Sequence, residues 1–325
     1  MTRRTFLRHG TLAAAGALAA GAGPAFAQAG VTRIVVPYAP GGAADITGRV
    51  YADKLRAAGL PDVIVDNRPG ASGRLGLDVV RKSKADGLTL LLVPSPLLTI
   101  YPWTYRNLGY DPDADLAPVA MLVEIPTAIA AGVDQPYADM PQFVEWMKKN
   151  PARANLGVAS VGSSGHLGAA ALGKAVGVEI QVVSYKGAAP MLVDVASGQV
   201  AIGWDAAASM TQLYRAKKIR LLGVSGTRRV ASLPEVPTIR EQGFAQFESA
   251  TSFYAICAPA GTPPERIAVL EKAFLAASAD AELTSKLESA GLVPMPLPAA
   301  PLAERTRRER AFWGPIVKSV GVSLE

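Results

Sequence analysis

The chain has 325 residues, half of them apolar, with a formal net charge of +6, two histidines and one cysteine. The lone Cys257 excludes an internal disulfide, and so few histidines and cysteines exclude a zinc site built from those ligands. Beyond residue 27 the chain has 30 basic against 27 acidic side chains, a balance that does not favour nucleic-acid or membrane binding. The length predicts about two domains.

Residues 1–27 have the composition of an export signal. Thr2–Arg8 carries a twin-arginine pair, Thr11–Gly23 is a soft apolar run, and Ala25–Ala27 has the A-x-A pattern of a cleavage site. The alternative, a membrane anchor, is disfavoured because the apolar run is shorter than the ~20 residues that a span requires. We therefore expect cleavage after Ala27 and a periplasmic protein.

The first motif joins an apolar segment, Ile34–Val36, to a tight turn at Pro40-Gly41-Gly42 and to Asp45, where a helix over 46–57 is expected to begin. Such a junction directs free backbone N–H groups and the positive end of a helix dipole at one point, which suits a carboxylate or a phosphate. The two glycines are equally explained by a turn that requires positive φ. The spacing matches neither the dinucleotide fingerprint nor the P-loop, which disfavours nucleotides.

Asp45 is expected to cap the helix and support the loop before it contacts any ligand. A carboxylate beside a bound anion weakens binding unless it meets an amine or a hydroxyl.

The same pattern recurs in the middle of the chain, with a strand over 155–159, a glycine and serine loop over 160–166 and a helix over 167–176. Ser163 and Ser164 stand where this helix begins, and helix capping would explain either of them. Two serines between Gly162 and Gly165 exceed what one cap requires, which favours contact with a ligand.

His166 follows this loop directly and allows a rival interpretation, a periplasmic esterase that uses Ser163 or Ser164 as its nucleophile. The sequence has no G-x-S-x-G motif, no evident third member, and the residues are very close along the chain. A structural histidine that is hydrogen-bonded to the backbone is favoured, and we expect no enzymatic activity.

Other candidates lie where predicted strands end. Ser95 follows the strand over 88–93, and Asp205 follows the strand over 200–203. Asp205 either accepts a hydrogen bond from a ligand hydroxyl or amine, or it caps a turn. Tyr185 and Lys186 open the helix after the strand over 180–183; Lys186 either attracts an anion or is solvated.

The alternation of strands and helices predicts an α/β protein with mostly parallel sheets that helices cover on both faces. Two strand–loop–helix units predict two similar lobes, with the ligand at the carboxyl ends of the strands. We expect the first lobe to comprise residues 28–125 and 252–325, and the second lobe residues 126–251. The chain would cross between lobes near Glu124–Thr127 and Thr251–Tyr254.

Taken in order, these loops resemble the extracytoplasmic receptors of tripartite tricarboxylate transporters, the Bug family. The resemblance covers nearly the whole chain after residue 27, and seven motifs in register carry it: Ile34–Asp45, Asp66–Gly73, Ala85–Leu90, Gly162–Leu167, Tyr185–Pro190, Leu233–Thr238 and Ala258–Pro263.

The resemblance implies a two-lobed periplasmic-binding-protein fold of type II. We expect a monomer, with no cofactor and no metal. It implies capture of a small carboxylate in the cleft and its delivery to membrane permease subunits. In this family the loops holding Tyr38–Asp45 and Gly162–His166 enclose the ligand carboxylate. The expected ligand-binding residues are Tyr38, Pro40, Gly41, Gly42, Asp45, Ser95, Ser163, Ser164, Gly165, His166, Tyr185 and Asp205.

Some positions depart from the family pattern and put the rest of the ligand in doubt. Ser72 stands where another glycine is usual, and Trp204 stands where a smaller or phenyl residue is commoner. Trp103, Trp204 and Leu97-Leu98 motivate the hypothesis of an apolar or aromatic acid, although lone aromatics usually belong to a core. A sensory module for a membrane kinase is a further alternative that the sequence does not separate from transport.

Overall fold

A computed structural model describes residues 30–58, 60, 62–159, 162–185, 187–247 and 250–324. The predicted signal segment and Lys186 lie outside the described residues. The strands within the described ranges are β1 (Thr32–Val36), β2 (Val63–Asn67), β3 (Thr89–Pro94), β4 (Leu116–Ile125), β5 (Thr127–Gly132), β6 (Asn155–Val158), β7 (Gln181–Ser184), β8 (Ile202–Ala206), β9 (Ile219–Val224), β10 (Ser252–Pro259) and β11 (Val293–Pro298).

Helices connect most of these strands. They are α1 (Ala43–Ala57), α2 (Arg74–Arg81), α3 (Pro96–Thr99), α4 (Tyr101–Thr104), α5 (Met140–Lys149), α6 (Ser164–Val176), α7 (Ala188–Ala196), α8 (Ala207–Arg215), α9 (Pro264–Ser278), α10 (Ala281–Ser289) and α11 (Ala299–Val320). No helix in the described part of the chain combines the length and the apolar composition that a membrane crossing would need.

The strands form two sheets, one with the order β11-β4-β10-β3-β1-β2 and one with the order β7-β6-β8-β5-β9. Both sheets are mixed, but most strands of each run in one direction, as expected: β1, β2, β3 and β4 in the first sheet, and β6, β7, β8 and β9 in the second. In the first sheet, β10 is antiparallel to β3 and β4, and in the second, β5 is antiparallel to β8 and β9. The chain passes from one lobe to the other directly before β5 and again directly before β10. Each of these two strands therefore runs away from the other lobe, whereas its neighbours run towards that lobe.

The central strands are apolar because helices cover both of their faces. Ile34, Val35 and Val36 of β1 are fully buried, and so are Leu90–Val93 of β3. Such strands are continuous apolar runs rather than alternating ones, which is why the sequence identifies them readily.

The sequence pattern did not predict α8 or β11. Proline occupies every second position of the segment Val293–Pro298, beginning at Pro294. Because proline is depleted in strands, strand propensity does not identify this segment. The structure places β11 at the edge of the first sheet, where proline is tolerated because one side of the strand needs no ladder hydrogen bonds.

Helix α11 packs against both lobes. Its early residue Leu302 belongs to the apolar cluster of the first sheet, together with Leu91 and Leu116. Its later residues Trp313 and Val317 belong to a cluster of the second lobe that includes Leu167 and Trp204.

Candidate functional site

A cavity of about 310 Å³ lies between the two sheets, at the carboxyl ends of β1, β3, β4 and β8 and the starts of β5 and β10. None of the described residues that line it is a lysine or an arginine, and the polar side chains among them carry hydroxyls or, in Asp205, a carboxyl. The lining residues are Tyr38, Ser72, Pro94, Pro96, Tyr101, Tyr105, Ile125, Thr127, Gly162, Ser163, Ser164, Asp205, Ala206, Ser252, Tyr254 and Leu324.

The N-terminus of α6 forms one wall of this cavity. Ser163 is the N-cap residue, and its Oγ accepts a hydrogen bond of 3.2 Å from the backbone N–H of His166. Ser164 is the first helical residue, and both serines line the cavity. The first N–H groups of a helix lack intrahelical acceptors, so this wall presents donors and a positive dipole end to the cavity.

Gly165 lets α6 approach β8 closely. A Cβ at this position would lie 2.3 Å from the backbone oxygen of Trp204. Because that contact is with backbone, no side-chain rotation relieves it, and a larger residue would push the helix N-terminus away from the cavity. Gly165 therefore acts on the site through packing; it does not line the cavity.

His166 has the backbone hydrogen bond that the sequence favoured, and it does not line the cavity. Its side chain is buried, and its Nδ1 accepts a hydrogen bond of 2.9 Å from the backbone N–H of Gly162. Burial lowers the pKa of the imidazole below its ordinary value, which keeps it neutral. The hydroxyl of Ser163 accepts from the backbone of His166, so its bonding is that of a cap and not that of a nucleophile and its base.

The first glycine loop is held by Asp45, which is buried. The Asp45 carboxylate accepts hydrogen bonds from Gly41 N at 2.9 Å, Arg49 Nε at 2.9 Å and Asn67 Nδ2 at 3.0 Å. Burial acts to raise its pKa, but these three donors outweigh burial and hold the pKa below its usual 3.8. Asp45 thus supports the loop, as predicted.

Pro40, Gly41 and Gly42 are exposed and do not line the cavity, and Gly41 adopts a φ of +89°. Whether this turn contacts the ligand stays a prediction.

Replacing Asp45 by asparagine should lower the free energy of unfolding at pH 7 by about 1–3 kcal/mol, because the new amide nitrogen cannot accept and leaves donors unsatisfied. Urea unfolding of both proteins measures the difference. The folded-state pKa is depressed, so the ionised carboxylate stabilises the fold above pH 3.8, and its contribution disappears as the pH falls through the lower folded-state value. An undiminished difference at low pH would contradict this account.

Asp205 is the acidic group that lines the cavity. Its Oδ2 accepts a hydrogen bond of 3.2 Å from the hydroxyl of Ser209. Burial raises the pKa of the Asp205 carboxyl, partly offset by hydrogen bonds from the Ala206 backbone and from Ser209. A carboxyl in this environment accepts a hydrogen bond from a ligand hydroxyl. A second unpaired anion beside it would be less favourable.

Ser95 and Tyr185 are two further predicted site residues that do not line the cavity. The Oγ of the buried Ser95 accepts from Phe253 N at 3.1 Å and ties the end of β3 to β10, while its neighbours Pro94 and Pro96 line the cavity. The hydroxyl of Tyr185 donates to Asp194 at 2.7 Å.

The residues behind the hypothesis of an aromatic acid are not in the lining. Trp204 is buried in the core, and its Nε1 donates to Thr127 Oγ1 at 2.8 Å. Trp103 is 38% exposed and donates to the Arg310 backbone, while Leu97 and Leu98 belong to the core of the first lobe.

Several lining residues were not among the predicted site residues. Four of them lie at the two predicted crossings between lobes, and those crossings were the sequence signal for their place in the lining: Ile125, Thr127, Ser252 and Tyr254. A second group belongs to stretches that depart from the family pattern, and that departure was its signal: Ser72, Pro94, Pro96 and Tyr101. Tyr105, Ala206 and Leu324 have no local signal, because the fold brings them together from distant parts of the chain.

A buried ionic network joins α11 to both crossings. The Arg305 guanidinium lies 2.6 Å from Glu124 Oε1 and 2.7 Å from Glu309 Oε1, and it donates to Thr251 Oγ1 at 3.2 Å. Glu124 precedes the first crossing and Thr251 the second. Burial raises the pKa of Glu309 to about 7, although Arg305 opposes that shift.

Two lobes with a cleft between them are the architecture of solute-binding proteins. The sequence matches the family described as "Tripartite tricarboxylate transporter family receptor" over residues 47–322. The chain belongs to this family, and the resemblance recognised from its loops is confirmed.

Individual relatives agree with this assignment. BugT of Bordetella pertussis is 28% identical, and the match covers 90% of each chain. The structure of a TctC solute binding protein from Polaromonas, with no ligand, is 26% identical and has a TM-score of 0.79, covering 88% of this chain and 97% of that one. Rpa4515 of R. palustris, solved with adipate, is 31% identical with a TM-score of 0.73, covering 90% and 98%. The two-lobed α/β binding-protein fold is thereby confirmed.

Proposed function

We propose that this protein is an exported, monomeric receptor that binds a small carboxylate between its lobes and delivers it to the permease subunits of a tripartite tricarboxylate transporter. It acts without catalysing a reaction. The lobes comprise residues 28–125 with 252–325 and residues 126–251, and they close on the ligand by hinge motion at the two crossings. The mature chain begins at Gln28, after removal of the signal in the periplasm.

The observation that carries this proposal is the N-terminus of α6, where the Ser163 and Ser164 side chains face a cavity without a basic lining residue among those described. Helix N–H groups and hydroxyls provide a carboxylate with hydrogen bonds and a favourable dipole without a salt bridge. The relative Rpa4515 was solved with adipate, a carboxylate, which supports the same ligand class here.

The test is the melting temperature of the mature protein with mono-, di- and tricarboxylates, amino acids and aromatic acids. A ligand at 100 times its dissociation constant stabilises the fold by about 2.7 kcal/mol, which a melt resolves. In the double variant Ser163→Ala/Ser164→Ala, we expect this stabilisation to fall by at least about 1.4 kcal/mol, equivalent to tenfold weaker binding. The lost cap itself costs about 1 kcal/mol without ligand.

Ser197→Ala provides a matched control, since Ser197 is an exposed serine at the end of α7 and does not line the cavity. It should respond to acids as the unmodified protein does. A lack of response to every acid, also after unfolding and refolding to remove trapped ligand, would contradict the proposed function.

A further inference from the structure

The segment Val322–Leu324 lies across one side of the ligand cavity. The backbone N–H of Leu324 donates to Thr104 O at 2.7 Å, and Arg106 N donates to Leu324 O at 3.1 Å. The Arg106 guanidinium adds a hydrogen bond of 3.0 Å to the Ser323 hydroxyl. These bonds hold the segment in a short parallel bridge beside Tyr105 on the first lobe.

The same segment also reaches the second lobe. A Cβ at Gly162 would lie 3.9 Å from Leu324 Cδ1 and 3.9 Å from Val322 Cγ1. Gly162 immediately precedes the Ser163 cap, so the Leu324 side chain stands between Tyr105 and the start of α6. Leu324 lines the cavity whereas Val322 does not.

Two arginines close to this wall are already engaged, and one of them, Arg106, donates to the Ser323 hydroxyl. The Arg74 guanidinium lies 4.0 Å from the centre of the Tyr105 ring and donates to the backbone oxygens of Ala71 and Asn107. It covers a face of the ring and does not line the cavity. A ligand beside Leu324 therefore meets an isobutyl group and an aromatic ring, and a second carboxylate there would lose hydration without gaining a charged partner.

We propose that Leu324 is a specificity-determining residue. Its side chain forms an apolar wall of the cavity, so acids with an apolar group on that side bind more tightly than dicarboxylates of equal length. This inference rests on the proposed function. It adds to that function the chemical character of the ligand beyond its carboxylate.

The test compares dissociation constants for two matched pairs, hexanoate with adipate and butanoate with succinate, and for benzoate as a bulky acid. Leu324→Arg places a guanidinium at the wall, and we expect it to shift the hexanoate-to-adipate preference at least tenfold towards adipate. Leu324→Ala enlarges the cavity, and we expect benzoate to gain at least threefold relative to butanoate. Leu324→Met keeps the volume and the apolar character and should keep the original preferences.

Val322→Ala is the matched control for Leu324→Ala, because it shortens a side chain of the same segment outside the cavity lining, and it should leave each ratio within about twofold. If acids bind the unmodified protein but the ratios of their dissociation constants are unaltered in Leu324→Arg and Leu324→Ala, this inference is overturned and the receptor function stands. If no acid binds the unmodified protein, the proposed function falls and the inference falls with it. Circular dichroism of each variant verifies the fold.

Discussion

In Ser164→Asp, stabilisation by carboxylates should vanish while the protein stays folded. The new carboxylate would face the ligand carboxylate in a cavity with no basic lining residue among those described. Two like charges 4 Å apart repel by about 4 kcal/mol at an effective dielectric constant of 20, which corresponds to roughly a thousandfold loss of affinity. The fold should tolerate the change, because an acidic residue in the first turn of a helix interacts favourably with its dipole.

Ser164→Asn is the matched control, since asparagine has nearly the same shape as aspartate and no charge. It should retain most of the thermal shift that the unmodified protein shows with the same acid. Isothermal titration calorimetry of the three proteins at pH 8 separates the effect of charge from that of size. Equal binding by Ser164→Asp and Ser164→Asn would show that the start of α6 is not the carboxylate site.

Replacing Arg305 by methionine should lower the free energy of unfolding by about 3–5 kcal/mol. The substitution leaves Glu124 and Glu309 buried without their shared cation, and breaking a buried ion pair from one side costs that amount. The loss should be largest at pH 8 and smaller at pH 5, because burial has already raised the pKa of Glu309 to about 7 and it takes up a proton as the pH falls. Urea unfolding at both pH values measures it.

Arg307→Met is the control for this prediction. Arg307 lies two residues further along α11 and is exposed, so its replacement should change the free energy of unfolding by no more than about 0.5 kcal/mol. A loss below 1 kcal/mol in Arg305→Met at pH 8 would mean that the network does not hold the crossings together.

The sequence predicted most of the elements that carry the fold and some of those that carry the site. Central strands such as β1 and β3 are apolar runs bounded by breakers, so local composition identifies them. Ser163 at a helix start and Asp45 in a glycine loop were predicted for the same reason, since capping and loop support depend on neighbours within four residues. Seven loop motifs in register were enough to recognise the family.

Local patterns could not decide which residues meet across the cleft. Tyr105 and Leu324 are neighbours only because the chain segment after α11 returns to the first lobe. Arg305 contacts Glu124 and Thr251 only when both crossings have formed. Trp204 illustrates the same limit, because its position at the end of a strand fits a pocket or a core equally well. The packing of Gly165 and Gly168 against it decides for the core.

By itself, the sequence determined the strand–loop–helix units, the family and the serine cap at the start of α6, because each depends on patterns encoded over a few residues. Only the tertiary structure decided the mixed strand directions, the membership of the cavity wall and the buried ionic network. Those features depend on contacts between residues far apart in the chain, and such contacts form only when two lobes that exchange chain twice are packed together.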